Sequence, residues 1–320
     1  MEKLIDEIRE TVKDEKVIVA FSGGEDSSLA ALLMKEALGK DRVELVTVHF
    51  GEFTYIRTED IIREFSRNYG FKHTYIDGSE RQRSIWKHGP SCNACTKLVK
   101  LGLIKEYAKG RIVVSGANRS DSWGKTYLKF HQGVYTPLLE FDKKDIREML
   151  DHFGVQIRKI GEARNREGCK LKHLLKMLVK QEYHGRAVSV ANELLLSILD
   201  EEGFKADLAN VKIIGPLSKN IALVNLKPDP PDFLKNKVKE ALKKVEVIDE
   251  VFFVDTPIEL DIVANPSIYR NESSREWILK GRLQPEFSQK VVVRWRESKN
   301  NRLRTFQVVG YRRWENGNKG

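Results

Sequence analysis

The chain is poor in cysteine, methionine and proline, with three, four and nine of each in 320 residues. Three cysteines are too few, and odd in number, for a disulfide scaffold. No run of eighteen apolar residues occurs, which argues against a transmembrane helix. The opening stretch MEKLIDEIRETVKDEK is charged and amphipathic, without the apolar core of a signal peptide. Neither an internal repeat nor a low-complexity tract is visible, which argues against a solenoid or a disordered array. These absences point to a cytoplasmic protein with no membrane partner. What is present is an ordinary globular composition, 41% hydrophobic and 32% charged. At roughly 150 residues per domain, the length suggests one large domain or two smaller ones.

The net charge of +10 is unevenly placed. Residues 156–186 hold nine Lys/Arg against three Glu, and residues 290–320 hold nine against two, so the remainder is slightly acidic. Two basic segments, rather than a uniformly basic chain, bear on the choice of partner.

The first half alternates strand and helix. Lys16–Phe21, Val43–Phe50, Lys72–Asp77 and Arg111–Ala117 read as short β-branched strands, with a further one near Val134–Leu139. Between them lie SSLAALLMKEALG, a helix N-capped by Thr58, a helix around Thr96–Lys109 and another at Lys143–Phe153. That alternation predicts an α/β, doubly wound parallel sheet over 1–155. Residues 156–206 read as a basic helical segment carrying Cys169, with LKHLLKMLVKQ apolar at helical spacing. Residues 207–320 read as a smaller α+β domain ending in a basic, aromatic hairpin, QKVVVRWRE and LRTFQVVGYRRW joined by SKNN.

The most informative segment is Ser22-Gly23-Gly24-Glu25-Asp26-Ser27-Ser28, which follows the first strand (with Ala20 and Phe21) and opens a helix. Two glycines let main-chain N–H groups approach an anion, and the helix start adds donors and partial positive charge. The plainer alternative is a tight capped turn. No Lys follows the glycines, so this is not GxxxxGK[ST], and it is not GxGxxG. The string SGGEDS resembles the SGGxDS loop of the PP-loop ATP pyrophosphatases, a Rossmann-like superfamily. That resemblance implies ATP on the loop, cleavage between the α- and β-phosphates, and Asp26 as a Mg²⁺ ligand. It also implies binding roles for Gly116, Asn118 and Asp121 after the fourth strand, and places His49 and Phe50 in the region lining the adenine pocket.

Cys92 and Cys95 form a CxxC, and Cys169 lies seventy-four residues beyond Cys95. Three thiolates suit an iron–sulfur cubane with one open iron, whereas Cys₃His zinc with His73, His88 or His173, or redox thiols, are the other readings. The order resembles that of the iron–sulfur-dependent tRNA thiolases of the same superfamily. Departures are the lack of flanking CxxC zinc modules and Glu25 in place of a common Lys. The stretch from Val134-Tyr135-Thr136-Pro137-Leu138-Leu139 to Lys144-Asp145-Ile146-Arg147 also resembles sulfur transferases that build a nickel-pincer nucleotide. The resemblance covers about 1–185.

The resulting expectation is an ATP-dependent sulfurtransferase. A tRNA base would be adenylated, and a sulfide or sulfur carrier would act through a [4Fe-4S] cluster on Cys92, Cys95 and Cys169. Asp26 and these cysteines are the expected catalytic residues. Alternatives are a small nucleotide precursor as acceptor, or an amide-forming ligase. Basic segments interleaved with Trp295, Phe306, Tyr311 and Trp314 favour RNA, although the same pattern also suits a core with one solvated basic face. A homodimer is left open.

Overall fold

In the computed structural model, residues 1–120, 128–157 and 169–314 are described. Asp121 therefore lies outside the described residues, as does the whole run between Ile157 and Cys169. The chain divides into two compact units, numbered here along the chain for helices and strands. The first comprises Met1–Gly51, Ile56–Ser79 and Ala94–Arg158, and the second Glu52–Tyr55, Glu80–Asn93 and Lys159–Gly320.

The first unit is built on a six-stranded sheet in the order β3-β2-β1-β4-β6-β5. Its strands are β1 (Val17–Ala20), β2 (Val43–His49), β3 (Lys72–Asp77), β4 (Ile112–Val114), β5 (Phe130–His131) and β6 (Val134–Tyr135). All neighbours are parallel except β5 with β6, and Val17 faces Val43 on one side and Ile112 on the other. Alternation along β1 sends Val17 and Val19 to one face and Ile18 to the other. Val17 and Val19 pack with Leu4 and Ile8 of α1 (Glu2–Val12), Leu29 and Leu33 of α2 (Glu25–Leu38), Ile62 and Phe65 of α3 (Ile56–Asn68), and Ile146 and Leu150 of α7 (Lys143–His152). Ile18, Val46 and Val113 pack on Ile104 and Ala108 of α6 (Gly102–Ala108). The sheet is thus covered on both faces, as the apolar strands require. Strand order reverses at β1, whose neighbours are β2 and β4. The crevice at the carboxyl ends of β1 and β4 is where such sheets bind ligands.

Several local expectations shift by a few residues. Gly39 ends α2 with φ +83°, its N–H bonded to Lys35 O at 2.9 Å. Thr58 is not a cap; it lies inside α3, 3% exposed, because the helix starts at Ile56. The expected strand to Leu139 stops at Tyr135, just before Pro137, which has no N–H for a ladder.

The second unit holds two three-stranded sheets. One has the order β7-β8-β9, from β7 (Leu208–Ile214), β8 (Ile221–Lys227) and β9 (Glu250–Phe253). The other has the order β11-β10-β12, from β10 (Ile258–Ala264), β11 (Val291–Glu297) and β12 (Phe306–Arg313). Short helices α4 (Ser79–Trp86), α5 (Cys92–Ala94), α10 (Pro266–Tyr269) and α11 (Glu272–Trp277) accompany the longer α8 (Arg186–Glu201) and α9 (Asp232–Lys243). Leu223, Ile258, Leu260, Ile262, Phe287, Phe306 and Val308 share one core.

Two expectations fail here for the same reason, a tertiary partner overriding local pattern. QKVVVRWRE and LRTFQVVGYRRW are not a hairpin: β10 lies between them, parallel to β11 and antiparallel to β12. Its sequence IELDIVA alternates buried and half-buried residues, which is what a central strand covered on one face needs. LKHLLKMLVKQ is not an α-helix. After a short 3₁₀ turn at Lys170–His173 the chain is non-helical to Lys180 and pairs with main chain, Leu175 N donating to Ile213 O at 3.0 Å and Val308 N to Leu175 O at 2.7 Å. Leu171, Leu174, Leu175 and Leu178 are all buried, so helical spacing here reflects burial on several sides. Lys176 is also buried, its ammonium donating to Pro216 O at 2.6 Å, Lys219 O at 2.8 Å and Asn220 Oδ1 at 3.2 Å. Among the described residues, no helix is long and apolar enough to cross a membrane.

Candidate functional site

The loop after β1 is shaped by its own serines and by β2. Phe21 is 2% exposed and its ring sits 5.1 Å from that of Phe65, so only its main chain belongs to the loop. Phe21 N donates to Val46 O at 2.9 Å, and Thr47 Oγ1 donates to Phe21 O at 2.7 Å. Gly23 adopts φ +67°, a conformation that costs a side-chain-bearing residue energy. Gly24 is the N-cap of α2 and offers no side chain, and the turn is held instead by Ser27. Its hydroxyl donates to Gly24 O at 3.1 Å and accepts from Ser22 N at 3.2 Å, and the Ser22 hydroxyl lies 3.2 Å away. The first turn of α2 then presents N–H groups with no carbonyl four residues back. Ser28 is fully buried and its hydroxyl has no hydrogen-bond partner. An anion with several acceptor oxygens suits such a cradle.

The loop after β4 closes on this turn. A Cβ on Gly116 would lie 2.8 Å from Ser27 N, 2.9 Å from Asp26 C and 3.0 Å from Asp26 O. Those contacts are with main chain, which cannot swing aside, so the two loops meet only because residue 116 is glycine. Asn118 is fully buried and its Oδ1 accepts from Ser120 N at 2.9 Å. The structure thus brings Gly116 against the Ser22–Ser28 loop. His49 is half-buried at the end of β2 and packs edge-on to Tyr75, ring centroids 5.9 Å apart.

Two cations that sequence reasoning had not singled out complete the site. Lys143 Nζ lies 2.7 and 2.5 Å from the Asp26 carboxylate oxygens, and Arg147 Nε lies 3.4 Å from each Glu25 oxygen. Both sit on α7, whose start is fixed by a capping box: Asp142 accepts from Lys144 N at 2.8 Å and Asp145 N at 3.1 Å, and Asp145 accepts from Asp142 N at 2.8 Å. These main-chain bonds, helped by Arg119 at 3.0 Å, hold the Asp142 carboxyl below its ordinary range. The signal was present in the string DKKDIR: a cap followed by basic residues four apart on one helix face.

The fit to ATP and Mg²⁺ follows from these residues. Ser22, Ser27, Ser28 and the α2 N-terminus would hold phosphate oxygens. The Asp26 carboxylate is the oxygen donor that Mg²⁺ prefers beside phosphate.

Cys92 and Cys169 fall in the second unit and Cys95 in the first. None is in a disulfide. Cys169 Sγ accepts from Gln82 Nε2 at 3.2 Å, and Cys95 is 5% exposed. Among the described residues, no group of three or more His, Cys, Asp or Glu could hold a metal ion. The [4Fe-4S] set expected on Cys92, Cys95 and Cys169 thus finds no support among the described residues. The candidate histidines of the zinc reading are engaged elsewhere: His73 with Thr47 Oγ1 at 2.8 Å, His88 with Arg302 O at 2.8 Å and His173 with Lys212 at 2.8 Å.

Among the described residues of the basic segments, several cations are paired with acids elsewhere in the chain. Lys170 is 3% exposed and pairs with Glu193 at 2.7 Å. In the tail, Arg294 pairs with Asp261 at 2.5 Å and Arg312 with Glu259 at 3.1 Å, both acids on the neighbouring β10.

Comparison with known proteins agrees with the loop geometry. Residues 15–85 match a family of unknown function, DUF7411. A glutamine-hydrolysing GMP synthase subunit of Pyrococcus furiosus is 43% identical over 175 residues, 48% of this chain and 55% of that protein. Its counterpart in Pyrococcus horikoshii is 30% identical over 175 residues, 48% of this chain and 56% of that protein. A bacterial relative, the glutamine-hydrolysing GMP synthase of Paraburkholderia phymatum, is 30% identical over 176 residues, 47% of this chain and 33% of that protein. The matches thus span about half or less of these relatives. They support the resemblance to the PP-loop ATP pyrophosphatase superfamily; closeness to the tRNA thiolases is not among their findings.

Proposed function

We propose that the protein is an ATP-dependent, AMP-forming enzyme of the PP-loop kind that activates a carbonyl oxygen for attack by nitrogen, an amide-forming type of ligase. The observation that carries this reading is the close approach of Gly116 to Asp26 and Ser27, which builds one anion cradle from the loops after β1 and β4. An acceptor oxygen would attack the α-phosphorus; the bond from that phosphorus to the bridging oxygen breaks, and pyrophosphate leaves with the electron pair. Ammonia would then displace AMP from the activated carbon and lose a proton. Mg²⁺ at Asp26 would offset phosphate charge. Lys143, released from Asp26, would stabilise charge developing on the α-phosphate. The relatives' name, a glutamine-hydrolysing synthase, favours nitrogen as the nucleophile.

Sulfur transfer to a tRNA base is the second reading, and the Cys92, Cys95, Cys169 spacing is what favours it. ATP–pyrophosphate exchange, assayed with candidate acceptors, tests adenylation itself. Turnover with ammonium but not sulfide is the expected result; sulfide-dependent AMP release, lost in Cys169→Ala, would overturn the nitrogen reading.

A further inference from the structure

The second unit contains a cavity of about 480 Å³ that the adenylation reading does not use. Cys92, Lys172, Trp277, Arg282, Glu286 and Thr305 are among the residues that line it. Arg282 is the informative one. Its guanidinium lies over the rings of Phe306 at 5.4 Å and Trp86 at 5.9 Å. Its Nε and Nη2 are buried and have no hydrogen-bond partner, and the Thr305 hydroxyl is buried without a partner as well. Burying such donors unpaired is costly, so an acceptor that enters the cavity would bind with that cost removed.

The surrounding charge says which acceptor. Glu286 bonds Lys172 through one oxygen and Lys212 through the other. Among the described residues no carboxylate pairs with Arg282. His173 accepts from Lys212 at 2.8 Å and is neutral. Burial, then the charges of Lys212, Lys172 and Arg282, holds its pKa well below 6.5. Lys172 and Lys212 thus share the one Glu286 carboxylate, while Arg282, which lines the same cavity, has none, so the local charge is positive. A carboxylate ligand would answer that charge in part. A phosphomonoester, with about −1.5 to −2 charge at neutral pH, would answer it more fully, and a guanidinium can grip it with two parallel bonds. The volume is in the range of small-ligand sites, and Trp277, 54% exposed, adds an aromatic wall on which a planar ring can lie.

We propose that this cavity binds a phosphomonoester of mononucleotide size, with Arg282 and Lys172 on the phosphate and Trp277 beside the ring. This goes beyond the ATP loop and does not depend on the adenylation chemistry. Cys92 provides the test, because its thiol lines the cavity. Full-length protein without ATP would be alkylated with iodoacetamide in the presence of uridine 5′-monophosphate, ribose 5-phosphate, inorganic phosphate or acetate. Labelling at Cys92 is then read by peptide mass spectrometry, with Cys169 as the internal reference. The two monoesters should slow labelling of Cys92 selectively and at lower concentration than inorganic phosphate, and acetate should not. Arg282→Gln should raise the half-protecting concentration on the order of 10–100-fold. Trp277→Ala, at an exposed position, should weaken uridine 5′-monophosphate more than ribose 5-phosphate. If Arg282→Gln does not fold, Thr305→Val carries the same test with a smaller loss. Labelling indifferent to every phosphate would overturn the proposal, as would full protection in folded Arg282→Gln. Equal protection by inorganic phosphate and the monoesters would overturn the monoester assignment.

Discussion

The two units handle charge differently. In the first, each cation at the candidate site has its own acid, Lys143 with Asp26 and Arg147 with Glu25, and the side chains are 26–53% exposed. Pairs this wet contribute little and exchange partners readily, typically at under ~1 kcal/mol. In the second, Lys212 and Glu286 are 1% and 8% exposed, Lys172 shares that carboxylate, and Arg282 has none. A buried pair is fixed, because breaking it strands a charge in low dielectric. The lesson is that an anion reaches the first site by trading partners and reaches the second by supplying a missing one.

The strongest way to break this comparison is Gly116→Ala. If the first site depends on two loops meeting, a methyl group 2.8 Å from Ser27 N should push them apart. ATP–pyrophosphate exchange should fall by roughly 10²-fold or more, the cost of misplacing reacting groups by about an ångström. Stability should fall by no more than the ~1–3 kcal/mol of local overpacking, leaving the protein folded at the assay temperature. Exchange within threefold of the parent would show that the approach of the loops is incidental.

The next largest effect belongs to the second unit. Asn220 Oδ1 accepts from Lys176 and from His184 at 2.9 Å, while its Nδ2 donates to Val247 O at 2.9 Å and Tyr183 O at 3.2 Å. Asn220→Ala removes all of these at once and leaves a buried ammonium and imidazole short of partners. A loss of about 2–4 kcal/mol in denaturant unfolding is expected. A loss below ~1 kcal/mol would mean that the buried network is loosely held.

The units also differ in how far they could be read in advance. β1, β2, β3 and α7 fall within a few residues of where their apolar runs and caps put them, because each is decided by its own sequence. The loop at Ser22–Ser28 was legible for the same reason. Lys143 and Arg147 were not singled out, because their meeting with Asp26 and Glu25 depends on α7 packing beside α2. LKHLLKMLVKQ and the two tail strands misled because their partners, Ile213 and the whole of β10, are distant in sequence. The charge count misled likewise: the acids that pair with the tail arginines sit on β10, outside the segment that was summed.

Acidification sharpens the comparison more gently. Burial lowers the pKa of His73 in the first unit and of His184 in the second to about 4. A histidine depressed in the native state binds its proton in the unfolded state first. Stability therefore falls as pH drops from 6.5 towards 4, and is unaffected by this term above 6.5. His73→Gln should flatten that loss for amides of β2 and β3 in hydrogen exchange, and leave β8 as acid-sensitive as before. An unchanged pH slope at β2 would show that His73 is not held neutral.

The smallest effect concerns the tail, and it decides how its arginines are read. Arg312 Nε lies 3.1 Å from Glu259, its Nη2 3.6 Å from Asp261, and its side chain is 48% exposed. Counted along the chain it is part of a +7 segment; in space it is already answered by two carboxylates. Arg312→Gln should change stability by under ~1 kcal/mol. It should also leave the salt dependence of any tRNA binding where it was, since a cation committed to carboxylates releases no counterions from phosphate. A slope of log K against log salt that falls by about 0.9 in the variant would instead show Arg312 neutralising a phosphate. The β10 acids would then be partners of convenience in the unbound protein, exchanged for RNA as Asp26 is expected to be exchanged by Lys143, and the two units would handle their exposed charge in the same way.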